Sequence, residues 1–228
     1  MILFCKRAFY RYRNRFKHDA RESFYLLDNA WKHNIFSNKQ QCSNTEFLVV
    51  DTETSSLNPS KGELLSIGWV VIRNLNISLD TAEHFIVTPK KSVEQSATIH
   101  HLRDCDLQDG ISKKEMIIKL ISMSTNRVLV FHHATLDISF LNEIFIGICG
   151  APLLLNFVDT LQIEKTKLER QHIQLEQKSL TLNQCRRRYH LPDYPAHNAL
   201  IDALSTAELL LAQITHKGNS IQLNALKN

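Results

Sequence analysis

Three short apolar runs follow one another with no helical segment between them, and that order most limits the folds open to this chain. FLVV (47–50), LLSIGWVVI (64–72) and HFIVT (84–88) are rich in β-branched and aromatic residues, as buried strands are. Strands joined without a crossover pair antiparallel, as hairpins. From residue 113 the pattern changes. KKEMIIKLISM (113–123) has helical spacing, RVLVFH (127–132) reads as a strand and DISFLNEIFIGIC (137–149) as a helix. NFVDTLQI (156–163) reads as a fifth strand, and TLNQCRRRYH (181–190) and NALIDALSTAELLLAQI (198–214) as helices. Strands that alternate with helices run parallel. The expected fold is α/β, a mixed five-stranded sheet flanked by helices.

The chain has 228 residues, 43% hydrophobic and 22% charged, which suits one sizeable globular domain with an extension, or two small ones. Six Gly and five Pro exclude collagen-like and low-complexity chains. No run approaches the ~18 apolar residues of a membrane span, and MILFC is too short for a signal-peptide core. Five scattered cysteines (5, 42, 105, 149, 185) without a CxxC read as free thiols of a reducing compartment, the cytoplasm. The net charge of +4 is uneven: residues 1–22 hold seven basic and two acidic residues, so the rest is near neutral. Residues 1–45 therefore read as a basic, aromatic helical extension, 46–215 as the main domain and 216–228 as a tail. The extension is expected to pack on the body with its basic side chains in solvent. Its interleaved Arg/Lys and aromatic residues also suit phosphate contacts and stacking, a partner protein or a membrane surface. SNKQQCSNTE (37–46) reads as a linker and the tail as frayed.

Asp51 and Glu53 stand two apart in VVDTETSSL (49–57). Side chains of a strand alternate faces, so both carboxylates point the same way. Side by side they raise each other's pKa. A divalent cation removes that cost, and Mg²⁺ favours hard oxygen ligands. For a lone Asp-x-Glu, a solvated strand end before a turn is the plain alternative. Asp137, in VFHHATLDISFLN (130–142), opens a helix just after a strand. It can cap that helix and can also face the carboxyl edge of the sheet. His197 and Asp202 stand five apart in PAHNALIDALSTAELL (195–210). Five residues turn a helix through ~500°, so the two share no helical face. His197 is expected in the loop marked by Pro195, with Asp202 inside the first two turns. A histidine there can take a proton from a metal-bound water; a helix-capping His beside an exposed Asp is the alternative. The histidine pairs 100–101 and 132–133 and the cysteines lack zinc-ligand spacing.

In this order, Asp51-Thr-Glu53, His132-His-Ala-Thr-Leu-Asp137-Ile-Ser-Phe-Leu and His197-Asn-Ala-Leu-Ile-Asp202 resemble the motifs of the DEDDh 3′–5′ exonucleases. That family includes the proofreading epsilon subunit of bacterial DNA polymerase III and its DnaQ-like relatives. The resemblance runs from about residue 46 to 214. SATIHHL (96–102), FVDTLQI (157–163) and SLTLNQCRRRYHL (179–191) are similar to further family segments. The Tyr that marks the sister DEDDy group is Asn198 here. His133 stands where the family has Asn, and Ser56 and His101 where it has Gly. None of these departures removes a metal ligand or the base.

The resemblance implies an RNase H-like fold. It implies two Mg²⁺ or Mn²⁺ ions held by Asp51, Glu53, Asp137 and Asp202, with Asp51 bridging both. It implies His197 as general base, a role an imidazole suits because it titrates near neutrality. The product would be a nucleoside 5′-monophosphate. The Thr54 backbone would contact the terminal 3′-hydroxyl, and Leu57 would wedge against the last base or else tuck onto the core. His100 would lie near the terminal nucleotide or else be a surface histidine, and Asp159 would give structural support. The implied partners are single-stranded or frayed 3′ ends of DNA, with RNA as the alternative, and a DNA polymerase if the chain proofreads. A non-catalytic nucleic-acid- or polymerase-binding module on the same fold is a further alternative, against which the intact motif positions argue. The tail SIQLNALKN (220–228) loosely resembles the Gln-Leu-rich peptides that bind the sliding clamp.

Overall fold

A computed structural model describes residues 2–15, 21–89, 110–176, 178–195, 197–218 and 220–226. Strands β1 (Phe47–Thr54), β2 (Leu64–Arg73) and β3 (Asn76–Ile86) follow one another and pair antiparallel. β4 (Val128–Phe131) and β5 (Phe157–Asp159) join parallel to β1, giving the order β3-β2-β1-β4-β5 with β1 central. The helices are α1 (Ile2–Asn14), α2 (Arg21–His33), α3 (Lys113–Ser124), α4 (Ala134–Cys149), α5 (Thr160–Arg170), α6 (Leu182–Arg187) and α7 (Ala199–Lys217). Among the described residues no helix is long and apolar enough to cross a membrane.

Helices cover both faces of the sheet, which is why β2 stays buried from Leu64 to Ile72 instead of alternating. On one face Leu48, Val50, Ile67, Trp69 and Phe131 pack with Leu27 and Trp31 of α2, Leu120 of α3 and Phe145 of α4. On the other, Phe47, Val49, Val70, Ile72 and Val130 pack with Ala207, Leu210 and Ile214 of α7. Even residues of β1 thus face α4 and odd residues face α7, which fixes where the carboxylates at its end can point.

Several boundaries differ from the sequence expectation, each for a local reason. β3 starts at Asn76, before the HFIVT run, because Asn74 and Leu75 turn the chain with φ of 51° and 58°. That is the left-handed pair of a tight hairpin, made here without glycine. β5 stops at Asp159 and does not reach residue 163, because Asp159 accepts the Leu161 N–H at 3.0 Å and starts α5 at once. α4 begins at Ala134, so Asp137 lies in its first turn and is not its cap. The capping carboxylate is again Asp159, which accepts the N–H groups of His133 and Ala134 at 3.0 Å each. Its expected supporting role is thereby given a geometry.

Residues 37–46 are strapped down: Cys42 and Thr45 are buried, and Gln41 bridges to Gln222. Within the tail, residues 220–226 are not frayed. Leu223–Leu226 forms a 3₁₀ turn whose two leucines are buried beside α7, and the Leu223 N–H donates to Gln40 O at 2.8 Å. Those apolar side chains are committed to the core, which removes them from any clamp-type contact in this state. Cys42, Cys149 and Cys185 are buried free thiols and Cys5 an exposed one. SATIHHL, with His100, and Cys105 lie outside the described residues.

α1 packs on the body, but not with every basic side chain in solvent. Lys6, Arg13 and Arg15 are exposed, while Arg7 is buried. The Arg7 guanidinium donates to Leu154 O at 2.8 and 3.0 Å, Trp31 O at 2.9 Å and Asn34 Oδ1 at 3.1 Å. Burial, with Arg11 nearby, lowers its pKa to about 10, so it stays charged at neutral pH. One guanidinium thus joins α1, the end of α2 and the segment leading into β5. Arg7→Ala strands these acceptors, and chemical denaturation is expected to read a loss of about 3 kcal/mol. A change below roughly 0.5 kcal/mol, the range of ordinary surface substitutions, would show that α1 is not held this way.

Candidate active site

The site forms where α7 meets the end of β1. Asp51 pairs with Gly68 of β2, and the first turn of α7 lies directly on that glycine. A Cβ at Gly68 would sit 2.3 Å from Leu200 N and 2.5 Å from the Ala199 carbonyl carbon, so no larger residue fits without moving the helix. Asn198 caps the helix, its side-chain oxygen accepting the Leu200 and Ile201 N–H groups at 3.1 Å each. Asp202 follows in the first turn. Carboxylate oxygens of Asp51, Glu53 and Asp202 lie within 4.8 Å of one another.

His197 stands in the loop before α7, exposed and with φ 70°, and its backbone N–H donates to Asp202 Oδ2 at 2.9 Å. It is neither on the helix nor its cap. Asp137 arrives from the other layer. Thr52 points towards α4, and its hydroxyl donates to Asp137 Oδ1 at 2.7 Å. β1 therefore offers Asp51 and Glu53 to one layer and fastens Asp137 of the other through the residue between them.

Gathering carboxylates out of water disfavours their ionised forms. Burial first, then the charges of Asp137, Asp202 and Glu53, push Asp51 well above its usual range. Burial, with the charges of Asp202 and Asp137, raises Glu53 to about 7. Burial raises Asp137 to about 7 although the Thr52 hydroxyl bond opposes it. Asp202 is raised by burial, opposed by the His197 N–H and by nearby positive charge including Arg186. A crowd of hard oxygen donors with excess negative charge is what a divalent cation such as Mg²⁺ or Mn²⁺ accepts. The residues fit such an ion.

Thr54 is buried, its hydroxyl donating to Ser56 O at 3.0 Å. Leu57 is 81% exposed, so it is not tucked onto the core. His132 is a half-buried structural group: its ring nitrogens meet the Thr160 hydroxyl at 2.8 Å and Leu180 O at 2.9 Å. Burial lowers its pKa to about 4, so it is neutral. Sequence reasoning missed Thr52, Gly68 and Asn198. Gly68 had a readable signal, a glycine inside an apolar strand; so did Asn198, an Asn just before an amphipathic helix. Thr52 had none.

The family model described as RNase_T, Exonuclease, matches residues 48–210. A DNA polymerase III PolC-type protein of Thermotoga petrophila is 27% identical over 169 residues, which are 74% of this chain but 12% of that protein. The DNA polymerase III subunit epsilon of Buchnera aphidicola is 28% identical over 172 residues, 71% of this chain and 68% of that one. Among solved structures, the nuclease domain of 3'hExo, a DEDDh family member bound to rAMP, superposes with a TM-score of 0.64 at 11% identity, covering 80% of this chain and 97% of that one. E. coli Exonuclease I in complex with a dT13 oligonucleotide superposes with a TM-score of 0.63 at 15% identity, covering 76% and 42%. The chain belongs to this exonuclease family, in its DnaQ-like, DEDDh branch. Its sheet is the RNase H-like fold of those nucleases.

The raised pKa values set a pH dependence. Near neutrality the folded chain holds protons on Glu53 and Asp137 that the unfolded chain releases near pH 4. Stability from these groups therefore falls as pH rises from about 4 to about 7 and stays low above that. Melting curves of metal-free protein are expected to show this fall, and millimolar Mg²⁺ or Mn²⁺ to reverse it at pH 8 by roughly 4–8 °C, as about 2 kcal/mol would. Asp51→Asn should shrink both effects. Equal melting with and without metal at pH 8 would remove the ion from the site.

Proposed function

We propose that the chain is a divalent-metal-dependent 3′–5′ exonuclease that shortens DNA from single-stranded or frayed 3′ ends and releases nucleoside 5′-monophosphates. The observation that carries this is the convergence of Asp51, Glu53 and Asp202 within 4.8 Å, with Asp137 fastened beside them by Thr52, in a chain of the exonuclease family. In this reading residues 46–215 are the exonuclease domain, and Asp51, Glu53, Asp137 and Asp202 would hold two Mg²⁺ or Mn²⁺ ions. Such ions, when bound, supply an acidified water and stabilise charge on the leaving 3′-oxygen.

The chain's own residues do the rest. His197, exposed at the rim, takes the proton of the attacking water. Its backbone N–H holds Asp202 Oδ2, so base and ligand keep a fixed relation. Thr54, with its hydroxyl committed to Ser56, offers its backbone to the terminal 3′-hydroxyl. Leu57, standing free of the core, wedges the terminal base. His100 is assigned beside the terminal nucleotide from the sequence resemblance. A polymerase partner is suggested by the PolC-type and epsilon relatives. The free thiols suit the reducing cytoplasm.

The test uses 5′-labelled single-stranded, 3′-recessed and blunt DNA, and RNA, with Mg²⁺ or Mn²⁺. A ladder that shortens from the 3′ end of DNA, absent with EDTA, is expected. Asp51→Asn should slow it by roughly 10³-fold or more, as loss of one member of a catalytic set does. His197→Ala should slow it by roughly 10²- to 10⁴-fold. Faster cleavage of RNA would reassign the substrate, and intact oligonucleotides despite bound metal would make the chain a binding module.

A further inference from the structure

Arg186, at the end of α6, has no exposed surface, which is costly for a charged side chain unless it is paired and hydrogen-bonded. Its partners lie on two other elements. Nη1 donates to Ser205 O of α7 at 2.5 Å, and Nη2 to Pro192 O at 2.8 Å and Glu208 Oε2 at 2.7 Å. The guanidinium carbon lies 4.8 Å from the Tyr194 ring centroid, and the Tyr194 hydroxyl donates to Glu208 Oε1 at 3.0 Å. Pro192 and Tyr194 belong to the loop that carries His197, three residues after Tyr194. Ser205 is one helical turn beyond Asp202. The other end of the loop is tied by the His197 N–H to Asp202.

We infer that Arg186 is a positioning residue: its planar fork locks the loop bearing His197 onto α7 and so sets the base against Asp202. This rests on the reading of His197 as the base. The chemistry suits arginine alone. The two terminal nitrogens of its rigid plane serve two carbonyls and a carboxylate at once, while the buried Nε–H has no hydrogen-bond partner among the described residues, and the flat face carries the Tyr194 ring. Lysine offers a point charge that can meet Glu208 but cannot span Ser205 and Pro192. The neighbouring pair Arg187–Asp193, at 2.9 Å, is exposed and adds little.

The experiment combines two readouts on the full chain. The first is amide hydrogen exchange at His197, measured without substrate. The second is steady-state cleavage of 5′-labelled single-stranded DNA with Mg²⁺, with and without added imidazole. Arg186→Met fills the volume without the fork; Tyr194→Ala, at a partly exposed position, removes the cover without emptying the core. Both are expected to speed His197 exchange about tenfold, while β1 and β2 amides keep the parent's protection. Both should lower kcat roughly 10- to 100-fold, as a small misplacement of a catalytic group does, with KM within about twofold. Imidazole should recover part of that loss, as it does for His197→Ala, and leave the parent unchanged. Arg186→Lys should not restore the parent's values. Parent-like exchange at His197 in both variants overturns the inference, whatever their melting temperatures. So does a kcat loss that imidazole leaves untouched while His197 exchange is unaltered. If the parent cleaves nothing, the proposed function falls, and exchange at His197 still decides whether Arg186 holds the loop.

Discussion

The closeness of α7 to the backbone of β2 governs most of what this structure can do. A helix normally rests on a sheet through side chains on both sides, and backbone contact is prevented by the first Cβ it meets. At Gly68 there is none, and the start of α7 settles onto the strand. Because Gly68 is the partner of Asp51, the contact brings the helix's first turn to the strand that ends in Asp-x-Glu. Asn198 can then cap the start of the helix where the sheet needs it to begin, and Asp202 reaches the other carboxylates.

The arrangement costs stability. Buried carboxylates with raised pKa values oppose folding at neutral pH, and the rest of the molecule offsets them. Two continuous cores, one on each face of a sheet buried through β2, supply most of that compensation. Buried arginines act at the joints rather than at the centre. Arg7 joins the N-terminal helices to the segment before β5, and Arg186 joins α6, α7 and the loop between them. In both, backbone carbonyls are the main acceptors, so the bonds depend on chain geometry and little on neighbouring side-chain identity.

Much of this was readable from the residues. The alternation of faces along β1 placed Asp51 and Glu53 together, and five-residue spacing put His197 off the helix that carries Asp202. The three hairpin strands and the later crossovers followed from the order of apolar runs. What escaped was set by contacts distant in sequence. Asp159 caps α4 from another strand, so Asp137 did not need to, and no local pattern says so. The tail reads as frayed because its leucines are few, yet they complete a core made by α7. Arg7 sits in a basic run that reads as solvated surface and Arg186 in a run of three arginines, and only the fold turns one member of each run inward. The short β5 reflects a capping aspartate that also fits a strand-forming sequence.

The acidic centre draws on both layers of the sheet, and its parts are far apart in synthesis order. Asp51 and Glu53 emerge early, Asp137 midway, and Asp202 only after residue 200. A growing chain on the ribosome therefore carries scattered acids and no assembled centre until its last long helix has emerged and docked.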